Sequence, residues 1–166
     1  MTDRGDPPPE KASQYAYRLL AARPVSEKEF QSKLRGKGFG STEVEAVAAR
    51  FKELGYLNDE SLARQMARAL AVNKLWGDYR IERALKEKGI PEDFIGAAIA
   101  LAREEITERA AVIKLLGKKG RGGKIDLENN KEKRRYIQSL MGKGFPSGLI
   151  FEALSMSGEE EVHEGE

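Results

Sequence analysis

Apolar residues along this chain recur at spacings of three and four, as on a helix with one buried face. Nowhere do they sustain the strict alternation with β-branched enrichment that marks a strand. Ala12, Tyr15, Ala16, Leu19 and Leu20 predict a first helix from near Lys11, which Pro24 stops. The second start is marked three ways. Ser26 can cap free amides, Glu29 can return the bond in a capping box, and Val25 can staple onto Phe30. This helix is expected to run to about Lys37, where Gly38 supplies a left-handed C-terminal residue and Lys37 meets the negative end of the helix dipole.

A third helix from near Ser41 to Leu54 should bury Val44, Val47, Ala48 and Phe51, and Gly55 ends it. After Tyr56-Leu57, Asn58 or Asp59 caps a fourth helix that presents Leu62, Met66, Ala69 and Leu70. Trp76-Gly77 closes the next connection, Asp78 restarts the chain, and a fifth helix buries Ile81 and Leu85. Pro91 takes a favoured first helical position, with Phe94, Ile95, Ala98 and Ile99 inside a sixth helix. No breaker is found from there to Leu116, so a sixth and a seventh helix can be separate or one bent rod. An eighth restarts near Asn130 with Tyr136, Ile137 and Leu140, and a ninth after Pro146 holds Leu149, Ile150, Ala153 and Leu154. Between them the stretch Gly117-Lys118-Lys119-Gly120-Arg121-Gly122-Gly123-Lys124 is expected as a flexible basic loop.

The helical pattern is itself repeated. Phe30-x-x-x-Leu34-x-x-Lys37-Gly38-Phe39 returns as Ile81-x-x-x-Leu85-x-x-Lys88-Gly89-Ile90 and as Tyr136-x-x-x-Leu140-x-x-Lys143-Gly144-Phe145, each followed by a further aliphatic residue at Val44, Ile95 or Ile150. The period is roughly fifty residues, long enough for three helices per unit. The Lys-Gly pair reads as helix punctuation before it reads as a ligand site. The expected organisation is all-α: a disordered lead-in over 1–10, with Pro7-Pro8-Pro9, three-helix repeats over 11–57, 58–103 and 104–156, and an acidic tail over 157–166.

Charge adds a second division. The net charge is +2, yet the last ten residues carry five acids and no Lys or Arg, and the first ten carry three acids against one arginine. The body between them holds 28 basic and 19 acidic residues. Such a body suits an anionic partner or, equally, a solvated helical surface. The tail reads as a solubilising end, or as a competitor with a polyanion for the basic body. Aligning the repeats puts Glu29, Arg80 and Arg135 in one column and Lys28, Tyr79 and Arg134 in the next, both off the apolar stripe and therefore expected on the surface. If the units stack, Arg80, Arg134 and Arg135 can join Lys118, Lys119, Arg121 and Lys124 of the glycine-rich stretch in one partner- or DNA-binding surface.

Chemistry has few places to reside. The single histidine, His163, lies in the acidic tail, and there is no cysteine, which removes disulfides, thiolate metal sites and a multi-histidine site from the body. The absence of cysteine also fits a reducing cytosol. Carboxylate pairs such as Glu104-Glu105 stand in polar surroundings that do nothing to raise a carboxyl pKa. The glycine-rich stretch fails the P-loop spacing, with Gly123 where lysine should stand and Ile125 where Ser or Thr should follow Lys124. It fails the dinucleotide pattern too. A helix-turn-helix reading is disfavoured, since Gly96, Ala97 and Ala100 offer little to read base edges. No apolar run reaches the roughly 18 residues of a membrane span, and the N-terminus has no signal-peptide pattern. A cytoplasmic non-enzyme without cofactor or metal is expected.

In order along the chain stand Tyr15-Ala16 with Leu19-Leu20, Arg23-Pro24-Val25-Ser26-Glu27-Lys28-Glu29-Phe30, the first Lys-Gly phrase, Leu54-Gly55-Tyr56-Leu57-Asn58-Asp59-Glu60-Ser61-Leu62-Ala63, and Trp76-Gly77-x-x-Arg80-Ile81 with the second phrase. This series resembles the bacterial RecX regulators of the RecA recombinase, closely over about residues 12 to 100 and more loosely in the third repeat. The family usually has two aspartates where Asn58-Asp59 stands, and the insert after Gly117 lies outside its motifs. The resemblance implies an elongated, curved chain of three-helix repeats that binds the RecA nucleoprotein filament, and a monomer is expected. It further implies inhibition by limiting filament extension or promoting disassembly, and brings no catalytic residues. The alternative is a sequence-nonspecific, salt-sensitive DNA-binding module that competes for single- or double-stranded DNA.

Overall fold

The computed structural model describes residues 10–120 and 129–159. Among them there are nine α-helices and no strand: α1 (Glu10–Ala22), α2 (Glu27–Gly36), α3 (Ser41–Glu53), α4 (Asp59–Arg68), α5 (Asp78–Glu87), α6 (Glu92–Glu105), α7 (Glu108–Gly120), α8 (Asn130–Gly142) and α9 (Ser147–Glu159). The lead-in expected before residue 10, Arg121, Lys124 and His163 lie outside the described residues.

Three successive cores follow the chain. Phe30 and Leu34 of α2 meet Ala12 and Ala16 of α1 and Val44, Val47, Ala48 and Phe51 of α3. Ile81 and Leu85 of α5 take the same place between α4 and α6, and Tyr136 and Leu140 of α8 the same place in the third core. Each fully buried Phe, Leu or Ile contributes about 1.5–3 kcal/mol, so the two apolar marks of the repeated phrase are the centre of each unit. In the second unit Ala63, Ala67, Ala98 and Ala102 are buried, and these small side chains let α4 and α6 approach along their length. Their stripe turns Ala69, expected inside, out to solvent.

The three Lys-Gly turns share one geometry. Gly38, Gly89 and Gly144 have φ of +94°, +79° and +93°. The glycine N–H donates to the carbonyl three residues back, and the next residue's N–H to the carbonyl five back, as from Phe39 to Leu34 at 3.3 Å and from Ile90 to Leu85 at 3.1 Å. These Schellman pairs satisfy the last carbonyls of each middle helix.

Several boundaries differ from expectation. Pro91 precedes α6 as its N-cap. The sixth and seventh helices are separate: Ile106 is extended, and the Thr107 hydroxyl caps the new start by accepting the Ala110 N–H at 3.1 Å. α7 continues through Gly120, so the first four residues of the expected 117–124 loop are helical. A helix anchored by buried Ala111 and Val112 tolerates a glycine at a cost of about 1 kcal/mol. Likewise α9 carries 157–159, the opening of the expected tail.

The units are joined through their middle helices. The Ser26 hydroxyl accepts the Glu29 N–H at 3.1 Å and donates to the Lys88 carbonyl at 2.5 Å, which sets the end of α5 against the start of α2. The Gly77 N–H donates to the Lys143 carbonyl at 2.8 Å and sets the end of α8 against the start of α5. An acid opening the next unit completes each joint: Asp59 Oδ1 accepts the Glu27 N–H at 2.9 Å, and Glu108 Oε1 accepts the Asp78 N–H at 2.8 Å. α8, α5 and α2 thus follow one another end to end, with the carbonyl end of one meeting the amide end of the next.

Candidate partner-binding face

Three open grooves lie along the middle helices. At the first joint Lys28, Glu29, Ser32 and Lys33 of α2 face Glu87, Lys88 and Gly89, enclosing about 420 Å³. At the second, Trp76, Tyr79, Arg80, Arg83, Ala84 and Glu87 face Met141, Gly142 and Gly144, enclosing about 590 Å³. On α8 a third groove is lined by Asn130, Lys131, Arg134, Arg135 and Gln138. Glu87 borders the first two, so they are neighbours.

The two joint grooves have the same backbone and different chemistry. Glu29, expected on the surface, is half-buried, and its carboxylate is engaged by Arg23 and by Lys88 at 3.2 Å rather than closing a capping box. The hydrogen bond from Arg23 holds the Glu29 carboxyl below the usual range against the opposing effect of burial, and Lys88 adds to the lowering. The acid of the first groove is therefore engaged within the chain. At the second joint Arg80 replaces Glu29. Its guanidinium stacks 3.9 Å from the centre of the Trp76 ring, and Nη1 donates to the Gly142 carbonyl at 3.1 Å.

Trp76 is placed there by an unusual stretch of chain. After α4 the helix widens into a π-helical turn over Ala69–Asn73, with the Lys74 N–H reaching back to the Ala69 carbonyl at 3.3 Å. Leu75 then adopts φ +52°, a left-handed conformation that a leucine rarely takes, and buries its side chain in the third core. Such strain costs about 1–3 kcal/mol and persists where the surroundings over-determine it. Here they do so through Arg103, whose side chain is only 14% exposed. It donates to the Trp76 carbonyl at 2.8 Å, to the Ile106 carbonyl at 3.2 Å and to Asp78 Oδ1 at 2.7 Å. The sequence offered one signal for Leu75, an apolar residue directly before Trp76-Gly77, and none for Arg103.

Arg80, Arg134 and Arg135 are all exposed; Arg80 lines the groove at the second joint, and Arg134 and Arg135 line the groove on α8. Lys118 is exposed on α7, which packs against α9, and Lys119 lies in the last turn of α7. Arg121 and Lys124 are outside the described residues. No group of three or more His, Cys, Asp or Glu arranged to hold a metal occurs among the described residues. No described helix is long and apolar enough to cross a membrane.

Comparison with known proteins agrees with this repeat plan. Profiles of the first, second and third three-helix domains of RecX match residues 12–51, 58–99 and 107–154. The chain is 31% identical over 150 residues to the regulatory protein RecX of a Thermus thermophilus strain, covering 90% of this chain and 94% of that one. It is 30% identical over 151 residues to that of Chlorobaculum tepidum, covering 90% of each. The crystal structure of RecX from Lactobacillus salivarius superposes with a TM-score of 0.73 at 20% identity, over 88% of this chain and 94% of that one. Three matched domains in the order that the joints require, together with relatives aligned over nearly their whole length, establish that this chain belongs to the RecX family.

Proposed function

We propose that the chain is a non-enzymatic regulator of the RecA recombinase, binding the RecA nucleoprotein filament and limiting its extension or promoting its disassembly. One observation supports the reading: the three middle helices are joined end to end, and two of them carry exposed arginines that line grooves, Arg80 on α5 and Arg134 and Arg135 on α8. A row of grooves of this kind fits an extended partner rather than a small molecule. Relatives over the same length are regulatory proteins of this family.

The test is RecA ATP hydrolysis on excess single-stranded DNA with this protein added at substoichiometric amounts. Strong inhibition supports filament binding. Inhibition only at DNA-saturating amounts, with affinity for free DNA falling steeply as salt rises, replaces the reading with competition for DNA. Arg134→Glu with Arg135→Glu is the informative variant, because neither residue holds a joint in the way Arg80 does. It should retain helicity and inhibit several-fold less.

A further inference from the structure

We infer that the groove between α5 and the end of α8 binds a polypeptide segment of the partner that presents carboxylates beside an apolar side chain. This rests on the reading that the face meets a protein partner and names the chemistry that the second joint selects.

The composition of the groove is that of a protein-binding hot spot. Trp, Tyr and Arg dominate the energetics of interfaces, and here Trp76, Tyr79, Arg80 and Arg83 line one wall with Met141 across from them. Tyr79 is 68% exposed and Met141 51%, although Ile81 and Leu85 of α5 and Tyr136 and Leu140 of α8 are buried. Methionine adapts its shape to an incoming side chain. The floor is backbone, since Gly142 and Gly144 leave no side chain there. An apolar side chain can lie between Tyr79 and Met141 against that floor.

The arginines supply the charge preference. Arg80 is already stacked on Trp76 and tied to the Gly142 carbonyl, which uses one of its five N–H donors. A guanidinium held in this way loses little freedom on binding. Arg83 pairs with Glu87 at 2.9 Å, an exposed pair of 80% and 65% that a ligand carboxylate can replace at little cost. The equivalent positions at the first joint are Glu29 and Ser32, and Glu29 is engaged within the chain. The same joint therefore exists twice, once with an acid and a serine at these two positions and once with two arginines. Nucleic acid fits less well, because the exposed apolar surface of Tyr79 and Met141 would remain unused.

Trp76 is the chain's only tryptophan, so its fluorescence reports on this groove directly. The probes are the peptides acetyl-Asp-Leu-Glu-Leu-Asp-amide and acetyl-Asn-Leu-Gln-Leu-Asn-amide and an oligothymidylate, each titrated into the full chain. The acidic peptide should shift Trp76 emission saturably, the amide peptide should bind at least about tenfold more weakly, and Tyr79→Ser or Arg83→Gln should each weaken the acidic peptide about fivefold or more. Absence of a saturable shift, equal binding of the amide peptide, or tighter binding of the oligothymidylate with the same Tyr79 dependence overturns the inference. RecA ATP hydrolysis is followed in parallel with wild-type chain. Inhibition without peptide binding overturns the groove alone, and peptide binding without inhibition overturns the regulatory reading alone.

Discussion

Gly38 and Gly144 do the same conformational work under different constraint. Both hold positive φ, so a Cβ strains either. Around Gly38 nothing lies within 4 Å of that added atom, whereas at Gly144 it would stand 2.5 Å from the Arg80 backbone nitrogen. Gly38→Ala should cost about 1 kcal/mol. Gly144→Ala should cost at least about 2 kcal/mol, since the backbone of the neighbouring unit must move as well. Urea unfolding of the two variants checks the difference; equal costs would mean that the second joint yields freely. The repeated Lys-Gly pair was legible as punctuation because a Schellman turn depends on residues a few places apart. Its second role was hidden, because Ser26 and Lys88 meet across 62 positions that no local pattern links. Asp59 shows the same limit. The sequence marks Asn58 or Asp59 as a cap; Asn58 caps its own helix, and Asp59 caps that of the preceding unit.

The acids at the joints also titrate in an unusual direction. Burial raises the carboxyl pKa of Asp59 and of Glu108 above the usual range, despite the backbone N–H each accepts. A carboxyl whose folded pKa is raised binds its proton more tightly in the folded state. Its contribution to stability is fully present below the unfolded pKa and is lost as pH rises through the folded pKa. Glu108→Gln keeps an oxygen that can accept the Asp78 N–H and removes this titration. The variant should therefore gain stability relative to wild type as pH rises from about 4 to about 7. Unfolding midpoints at both pH values test this, and a difference that shrinks with rising pH would refute it.

At the scale of elements, the helices were readable from periodicity and their connections were read unevenly. The buried positions of α3, α5, α8 and α9 follow the apolar spacing directly. The break between α6 and α7 did not show, because Thr107 is a cap without a breaker beside it. The connection from α4 to α5 was the hardest, since its conformation is imposed from outside: Leu75 is held left-handed by the third core and by Arg103. Arg103→Met would leave the Trp76 carbonyl and Asp78 without their partner and should cost about 2–4 kcal/mol. Tertiary consequences distinguish it from a simple surface loss. Trp76 emission should move toward that of a hydrated indole while the helical circular dichroism is retained. An unchanged spectrum would show that α5 and α7 fix the connection without Arg103.

For the whole molecule, stability is distributed over three cores and two joints, so damage should stay near the place where it is made. Gly77 tests this most sharply. It is buried at the second joint, and a Cβ there would overlap the carbonyl of Gly144 and approach the Phe145 nitrogen at 2.6 Å. Both are backbone atoms, so no side chain can swing aside. Gly77→Ala should therefore break the hydrogen bond from residue 77 to the Lys143 carbonyl and part the third unit from the second. Leu75 would leave the third core with it, because the two residues are neighbours in one strained turn. Native-state hydrogen exchange should then rise in α7, α8 and α9 by more than about tenfold, while α2 and α3, across the intact first joint, keep their protection. Uniform acceleration throughout the chain would instead mean that the three cores melt as one cooperative body. In that case the joints would transmit stability over the full length, and the grooves along the middle helices would be held rigid by all three units together.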